Sequence, residues 1–231
     1  MSRGILVIGE SGGGKTTSLR SLDPASTFIF DCDRKGLSWK GWRSQYNKQN
    51  KNYIQTSDKD KIMDGLKRIN DGQKRIKVVA IDTLNAIMVD DERARRNEKT
   101  YDKWSDLAWS VWDILTSIHL YRDDLTIVCM AHTQTERDDS GYQFTHIKTS
   151  GRKLEKLVPE SKFTTVLLAK GSDGKYFFET NANHSTAKSP MGCFEPVVDN
   201  DMAMVIEKLE EIGLPFGSPT VTTWRRMWRG Q

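Results

Sequence analysis

A glycine-rich stretch near the N-terminus has the residue types that hold a chain of phosphates. It fits the pattern G-x-x-x-x-G-K-[ST], and its predicted nucleotide contacts are Gly9, Glu10, Ser11, Gly12, Gly13, Gly14, Lys15, Thr16 and Thr17. Glycines allow positive φ angles, so backbone N–H groups can turn inward around an anion. Lys15 would reach the β- and γ-phosphates, and the Thr16 hydroxyl would bind Mg²⁺. The stretch therefore predicts a site for ATP with Mg²⁺.

The residues on either side of this stretch support the same prediction. A glycine-rich surface turn could match the pattern by chance. However, the apolar residues 5–8 before it predict a buried strand, and residues 15–22 after it predict a helix. A helix that begins at the loop directs its N-terminal N–H groups at the phosphates.

A candidate metal ligand ends the apolar run at residues 76–82, where Asp82 is followed by Thr83. Ligands of open α/β folds bind at the carboxyl edge of the parallel strands. With a phosphate loop upstream, Asp82 is the natural carboxylate for Mg²⁺, bound directly or through water, beside Thr16. The alternative is an aspartate that caps the following helix.

Two more carboxylates, Asp31 and Asp33, lie at the end of the apolar run at residues 27–31. Hydrolysis of a nucleoside triphosphate needs a group that orients or deprotonates the attacking water. Either carboxylate fits this role, and either one also fits a helix cap or a solvated turn.

Two basic side chains are candidates because of where a sheet would place them. His132 directly follows the apolar run at residues 125–130, so it would face the γ-phosphate and could report its loss. Histidine is also an ordinary residue at a strand end. Lys188 lies in a loop, where an isolated lysine is usually solvated, and only the fold can give it a role.

The elements that must position these residues alternate between strands and helices. The predicted strands cover residues 4–8, 27–31, 76–82, 125–130, 163–170 and 175–180. The predicted helices cover residues 15–22, 58–70, 84–122, 150–157 and 201–212. The polar residues 132–149 form either a mobile loop or a small hairpin. This order predicts an α/β fold with a mostly parallel central sheet, flanked by helices, and an antiparallel hairpin at one edge.

Composition limits the class of protein. With 231 residues, the chain suits one core, predicted at residues 1–213, followed by a basic and aromatic tail at residues 214–231. Charged residues make up 29%, so we expect a soluble protein, and the net charge of +4 permits nucleic-acid contact without requiring it. Its three cysteines form no C-x-x-C pair, which argues against a metal site or disulfide framework. We expect no signal peptide, no membrane contact and a cytoplasmic location.

Taken together, these motifs resemble the RecA-like recombinase ATPases. They are most similar to the compact phage-encoded branch of nucleotide-binding or single-strand-annealing ATPases. The resemblance covers roughly residues 1–196: phosphate loop, strand ending in an acid, apolar strand ending in Asp-Thr, strand with a polar sensor, β-hairpin and lysine-bearing loop. It implies the RecA-like P-loop NTPase fold and ATP hydrolysis, inside a bacterial host cell.

The resemblance also implies a role for each candidate. Asp33 falls where the family has a glutamate that activates water, and Asp82 falls at the Walker B position. His132 falls at the γ-phosphate sensor. Residues 133–149 would be the DNA-contacting loop, and Lys188 would reach the γ-phosphate of a neighbouring subunit in a ring or filament.

The implied function is binding of single-stranded DNA and promotion of annealing or strand exchange in phage recombination. Glu136, Asp138 and Asp139 oppose DNA binding by the loop, although basic residues at 93–96 and 225–229 could compensate. One alternative is an ATPase that acts on a protein partner, such as a helicase loader or packaging accessory. Another is a small-molecule kinase. A kinase would need a lid with arginines near the phosphates, and the loop after the fourth predicted strand has no arginine cluster, which argues against this alternative.

Overall fold

A mixed β-sheet runs through the computed structural model, which describes residues 2–98, 102–149 and 158–212. Within these ranges the strands are β1 (Arg3–Gly9), β2 (Thr27–Asp31), β3 (Tyr53–Gln55), β4 (Val78–Asp82), β5 (Thr126–Arg137), β6 (Gln143–Ile147), β7 (Thr165–Ser172), β8 (Lys175–Glu179) and β9 (Val197–Asp199). Their order is β3-β2-β4-β5-β1-β7-β8-β9, with β6 paired to β5 outside this path.

The strands from β3 to β7 in that order are parallel, and β8 and β9 add an antiparallel edge. This arrangement confirms the predicted sheet. β5 lies between β1 and β4, so the phosphate loop and Asp82 are one strand apart. In register, Gly9 pairs with His132 and Asp31 pairs with Asp82. Parallel strands thus deliver all four residues to one carboxyl edge.

Helices cover both faces of the sheet. The α-helices are α1 (Trp42–Gln45), α2 (Lys59–Gly72), α3 (Leu84–Ala94), α4 (Asp102–Ser117) and α5 (Met202–Glu211), and 3-10 helices cover Thr16–Ser21, Ile118–Leu120 and Pro159–Lys162. Apolar residues of α2, α3 and α4 form one buried cluster with the sheet. The 3-10 helix after the phosphate loop and α5 form the other cluster. Burial on both faces explains why the central strands are continuous apolar runs.

The structure differs from the prediction in several elements. The predicted helix at residues 84–122 is instead α3, α4 and the 3-10 helix at Ile118–Leu120, and the polar residues 95–97 that follow α3 offer no apolar side to pack. The predicted helix at residues 15–22 is a 3-10 helix at residues 16–21. The short strands β3 and β9 were not predicted. The predicted helix at residues 150–157 and the tail at residues 214–231 lie outside the described residues.

The polar segment at residues 132–149 is a hairpin, one of the two predicted alternatives. β5 continues to Arg137 and pairs antiparallel with β6 from Thr133–Ile147 to Arg137–Gln143. The turn is closed by Asp138, whose Oδ1 accepts hydrogen bonds from Tyr142 N and from the N and Oγ of Ser140. We call residues 133–147 the β5–β6 hairpin.

Candidate active site

The phosphate loop connects β1 to the 3-10 helix at Thr16–Ser21. Gly14 has a φ of 92°, and a Cβ atom there would lie 2.7 Å from the ring of Tyr176. A Cβ atom on Gly9 would lie 2.6 Å from the carbonyl oxygen of Ala169. Side chains at these two positions are therefore excluded by conformation and by packing, and the loop backbone stays close to β7 and β8.

Lys15 lies inside this loop and is 5% exposed. Its Nζ donates hydrogen bonds to the carbonyl oxygens of Gly9 and Glu10, both at 2.8 Å. Burial lowers the pKa of Lys15 to about 8, although nearby Asp82 opposes the shift. The side chain is thus mainly cationic at neutral pH, and it presents this charge where the loop would hold the β- and γ-phosphates.

Thr16 and Asp82 come together as predicted. The Thr16 hydroxyl donates a 2.5 Å hydrogen bond to Asp82 Oδ2, and the peptide bond between Asp82 and Thr83 is cis. Asp82 is 1% exposed, burial raises its pKa, and its Oδ1 has no hydrogen-bond partner among the described residues. A buried carboxylate oxygen without a partner, beside a hydroxyl, suits Mg²⁺, which prefers oxygen ligands. The residues present therefore fit the implied metal.

The structure separates the two carboxylates that the sequence left open. Asp31 is 1% exposed, and its Oδ2 accepts hydrogen bonds from Gly36 N, Tyr53 Oη and Gln55 Nε2 at 2.8, 2.6 and 3.2 Å. Asp33 is partly exposed and accepts a 3.1 Å bond from the Thr83 hydroxyl, next to Asp82. Asp31 therefore holds the ends of β2 and β3 together, whereas Asp33 faces the phosphate site.

His132 lies at the end of the buried part of β5. Its Nδ1 is 3.3 Å from Lys15 Nζ, and its backbone N donates to Asn85 Oδ1 at 2.7 Å. Burial, and then the charge of Lys15, lower the pKa of His132, which favours the neutral ring. We assign the tautomer in which Nδ1 accepts from the Lys15 ammonium, because a lysine ammonium can only donate.

Lys188 is not brought to this site within the chain. Its backbone forms an antiparallel bridge with Val166, through bonds of 2.8 and 2.9 Å. Val166 pairs with Leu6, three residues before Gly9, which is about 10 Å along the strand from the phosphate loop. Among the described residues its ammonium has no assigned partner. A role in its own chain's site is thus not supported, and the predicted role toward a neighbouring subunit stays a prediction.

Three residues at the site were missed by the sequence reasoning. Lys35 donates a 2.5 Å hydrogen bond to Asp33 Oδ2, and Thr83 binds its other oxygen. Asn85 joins His132 to the end of the hairpin, since its Nδ2 donates to the Lys148 carbonyl oxygen at 2.7 Å. Thr83 belongs to the Asp-Thr pair that ends the third predicted strand, whereas the sequence around Lys35 and Asn85 has no pattern that distinguishes them from ordinary loop and helix residues.

A cleft of about 440 Å³ borders the outer side of the phosphate loop. Its walls are the β5–β6 hairpin, with Thr133, Thr135 and Thr145, and the strands β7 and β8, with Lys170 and Phe177. The cleft links the phosphate loop directly to the hairpin surface.

The chain was compared with protein families, curated proteins and solved structures. The profile of a protein family described as an AAA domain matches residues 1–189. A KaiC-like protein from the hyperthermophilic archaeon Pyrococcus horikoshii OT3 is structurally similar, with a TM-score of 0.41, 12% identity and 76% of each chain covered. No curated protein gives a significant sequence match.

The parallel sheet, with β5 between the two phosphate-site strands and an antiparallel hairpin at one edge, is that of a RecA-like P-loop NTPase, as predicted. None of the helices in the described ranges has the length and apolar character needed to cross a membrane.

Proposed function

The chain belongs to the protein family described as an AAA domain, and from that premise we propose that it hydrolyses ATP to control its binding to single-stranded DNA. We place it with the phage-encoded annealing ATPases, acting in strand annealing or exchange in the cytoplasm of a bacterial host. One observation carries this proposal. The contact between Lys15 and His132 joins the phosphate loop to the start of the β5–β6 hairpin.

The chain's own residues divide the work of hydrolysis. The loop N–H groups and Lys15 would hold the phosphates, and Thr16 and Asp82 would hold Mg²⁺, which when bound neutralises charge on the β- and γ-phosphate oxygens. Asp33 accepts the proton of the attacking water. The water oxygen bonds to the γ-phosphorus while the bond to the bridging oxygen breaks, and ADP leaves with that electron pair.

His132 then links the chemistry to the hairpin. A γ-phosphate competes with the histidine ring for the Lys15 ammonium, so binding and loss of this phosphate change the Lys15–His132 contact. His132 lies within β5, directly before the hairpin, and its carbonyl oxygen accepts a 2.7 Å hydrogen bond from Lys148 N, directly after the hairpin. A shift of His132 would therefore move both strands of the hairpin, β5 and β6, as loss of the γ-phosphate moves nucleotide-controlled switch loops.

The hairpin carries side chains that suit single-stranded DNA. Tyr142 is 48% exposed and Phe144 is 37% exposed, and the Tyr142 ring contacts that of His184 in a tilted arrangement with centroids 4.8 Å apart. Exposed aromatic rings are stacking surfaces for unpaired bases. Lys148 lies at the base of the hairpin, and the basic residues at 93–96 would supply further phosphate contacts.

A protein partner is the second candidate, and the charge of the hairpin favours it. Glu136, Asp138 and Asp139 outnumber Arg137 at its tip. If the chain acts as a helicase loader or packaging accessory, its protein partner would present basic residues to this surface.

Self-association into a ring or filament is part of the proposal. The position of Lys188, bridged to Val166 and away from the phosphate loop of its own chain, supports a role toward the γ-phosphate of a neighbouring subunit. Lys188→Ala should then reduce ATP turnover at high protein concentration and have no effect in dilute solution. A variant that stays fully active when concentrated would remove this role.

The decisive experiment measures ATP turnover with and without single-stranded DNA, together with the size of the protein in solution. Duplex DNA and the Lys15→Ala variant are the controls. Stimulation by single strands alone supports the DNA proposal. Turnover without stimulation, together with a stably co-purifying basic protein, favours the protein partner, and phosphoryl transfer to another nucleotide would identify a kinase instead.

A further inference from the structure

Lys35 lies in the short turn that follows β2 and carries Asp33. Its Nζ is 2.5 Å from Asp33 Oδ2, and the other oxygen of Asp33 accepts from Thr83. The Asp33 side chain is 19% exposed and that of Lys35 is 49% exposed. The ion pair therefore lies at the mouth of the site, where the ammonium can leave the carboxylate without crossing a packed core.

Neighbouring residues fix the backbone of this turn. The Gly36 N–H donates to buried Asp31 at 2.8 Å. The guanidinium of Arg34 donates to Ser57 Oγ at 2.9 Å and pairs with Asp90 at 3.4 Å, away from Asp33. With Arg34 and Gly36 both held, Lys35 is directed to the carboxyl edge of the sheet.

Lys35 also interacts electrostatically with the established parts of the site. Its positive charge opposes the burial-driven rise in the pKa of Asp82. It adds to the burial that lowers the pKa of Lys15 and of His132. The Lys35 ammonium thus interacts electrostatically with Lys15, His132 and Asp82. These three residues surround the proposed position of the γ-phosphate.

We propose that Lys35 contacts the γ-phosphate of ATP from within the same chain and releases Asp33 when it does so. This inference rests on the proposed ATPase function. The γ-phosphate carries more negative charge than a carboxylate and accepts several hydrogen bonds, so it competes for the ammonium. ADP lacks this group and leaves the Lys35–Asp33 pair in place.

The exchange makes hydrolysis depend on the triphosphate. Once Lys35 turns to the γ-phosphate, Asp33 Oδ2 is free to take the proton of the attacking water. That water forms its bond to phosphorus as the bridging bond to ADP breaks, and Lys35 offsets the negative charge on the transferred group. A cation supplied within the chain does this without a neighbouring subunit.

The test compares binding of two nucleotides to the Lys35→Gln variant with Mg²⁺ present. One is ADP, and the other is the ATP analogue with a methylene group between the β- and γ-phosphates. We expect affinity for the analogue to fall about tenfold, equal to about 1.4 kcal/mol, while affinity for ADP is unchanged. Lys35→Arg should restore most of the affinity for the analogue. Lys40→Gln, an exposed lysine of the same loop, is the matched control.

Other outcomes overturn the inference. Equal losses for ADP and the analogue would show that Lys35 only maintains the turn, and no loss for either would show that it does not touch the phosphate. The proposed ATPase function fails separately, if the unmodified protein binds neither nucleotide.

Discussion

The two halves of β5 have opposite surroundings. Residues 126–131 are buried and pair with β1 on one side and β4 on the other. Among the described residues, residues 133–137 pair with β6 alone, and they become exposed toward the turn. His132 lies between the two halves, beside Lys15. The same strand therefore fixes the site at one end and presents a surface at the other.

This difference shows how a small change at the phosphates can reach the surface. The inner half is held by two parallel neighbours and by apolar packing on both faces, so it cannot shift alone. The hairpin has fewer supports: Ile147 N donates to Glu160 Oε1 at 2.8 Å, and Thr145 exchanges backbone hydrogen bonds of 2.8 and 3.0 Å with residues 184–186. We therefore expect a change at His132 to move the hairpin more readily than the sheet.

Removing the positive charge of Lys15, beside the buried half of β5, should have the largest effect on ATP binding. In Lys15→Ala the loop loses its ammonium and the two bonds to its own carbonyl oxygens. We expect ATP affinity to fall at least about 100-fold, measured by calorimetry. Lys67→Ala, on an exposed position of α2, is the control and should bind normally. Unchanged ATP affinity in Lys15→Ala would refute the phosphate loop.

Asp33→Asn should separate binding from turnover. An amide cannot take a proton from water, so we expect turnover to fall about 100-fold, the scale of general-base catalysis, while ATP affinity stays within a few-fold. Single-turnover hydrolysis and nucleotide binding are measured on the same sample. An unaltered turnover rate would assign proton transfer to another group.

His132→Ala tests the connection between the two halves of β5. The hairpin should no longer respond to ATP, since the contact between Lys15 and the strand is lost. Amide hydrogen exchange of residues 133–147 is compared with and without ATP and Mg²⁺. His146→Ala, within the hairpin, should keep the response. Continued protection changes in His132→Ala would show that coupling takes another route.

Asp31→Asn should affect stability more than chemistry. The buried Asp31 Oδ1 has no partner among the described residues, so an amide NH₂ group there is left unsatisfied. We expect the free energy of unfolding to fall by about 1–3 kcal/mol. Urea denaturation of Asp31→Asn is compared with that of Asp33→Asn, which we expect to be close to wild type. Equal stabilities would contradict the structural role of Asp31.

The smallest effect concerns pH. The pKa of Lys15 is lowered to about 8, so the free protein loses this charge as the pH rises through 8. Phosphates bind the ammonium form, and ATP affinity should therefore fall above pH 8, with proton uptake on binding at pH of about 8.5. Calorimetry in buffers of different ionisation enthalpy detects this uptake. Affinity that stays constant to a pH of about 9.5 would contradict the shift.

The amino-acid sequence by itself determined the parallel core and the residues at its carboxyl edge. Continuous apolar runs identify buried strands, and the phosphate loop, Asp82 and His132 directly follow such runs. These residues lie close together because parallel strands bring their carboxyl ends to the same edge of the sheet. The extent of β5 and the break between α3 and α4 were less predictable, because a polar strand and a charged helix end carry no strong period.

Only the tertiary structure decided which carboxylate faces the phosphates. Tyr53 and Gln55, which engage Asp31, lie on the three-residue strand β3, too short to identify from the sequence. The ion pair of Asp33 with Lys35, and the bridge that holds Lys188 beside Val166, likewise depend on where turns place side chains. Local patterns fix the burial of a strand, whereas the partner of a charged side chain is set by contacts between segments distant in sequence and by the water those contacts exclude.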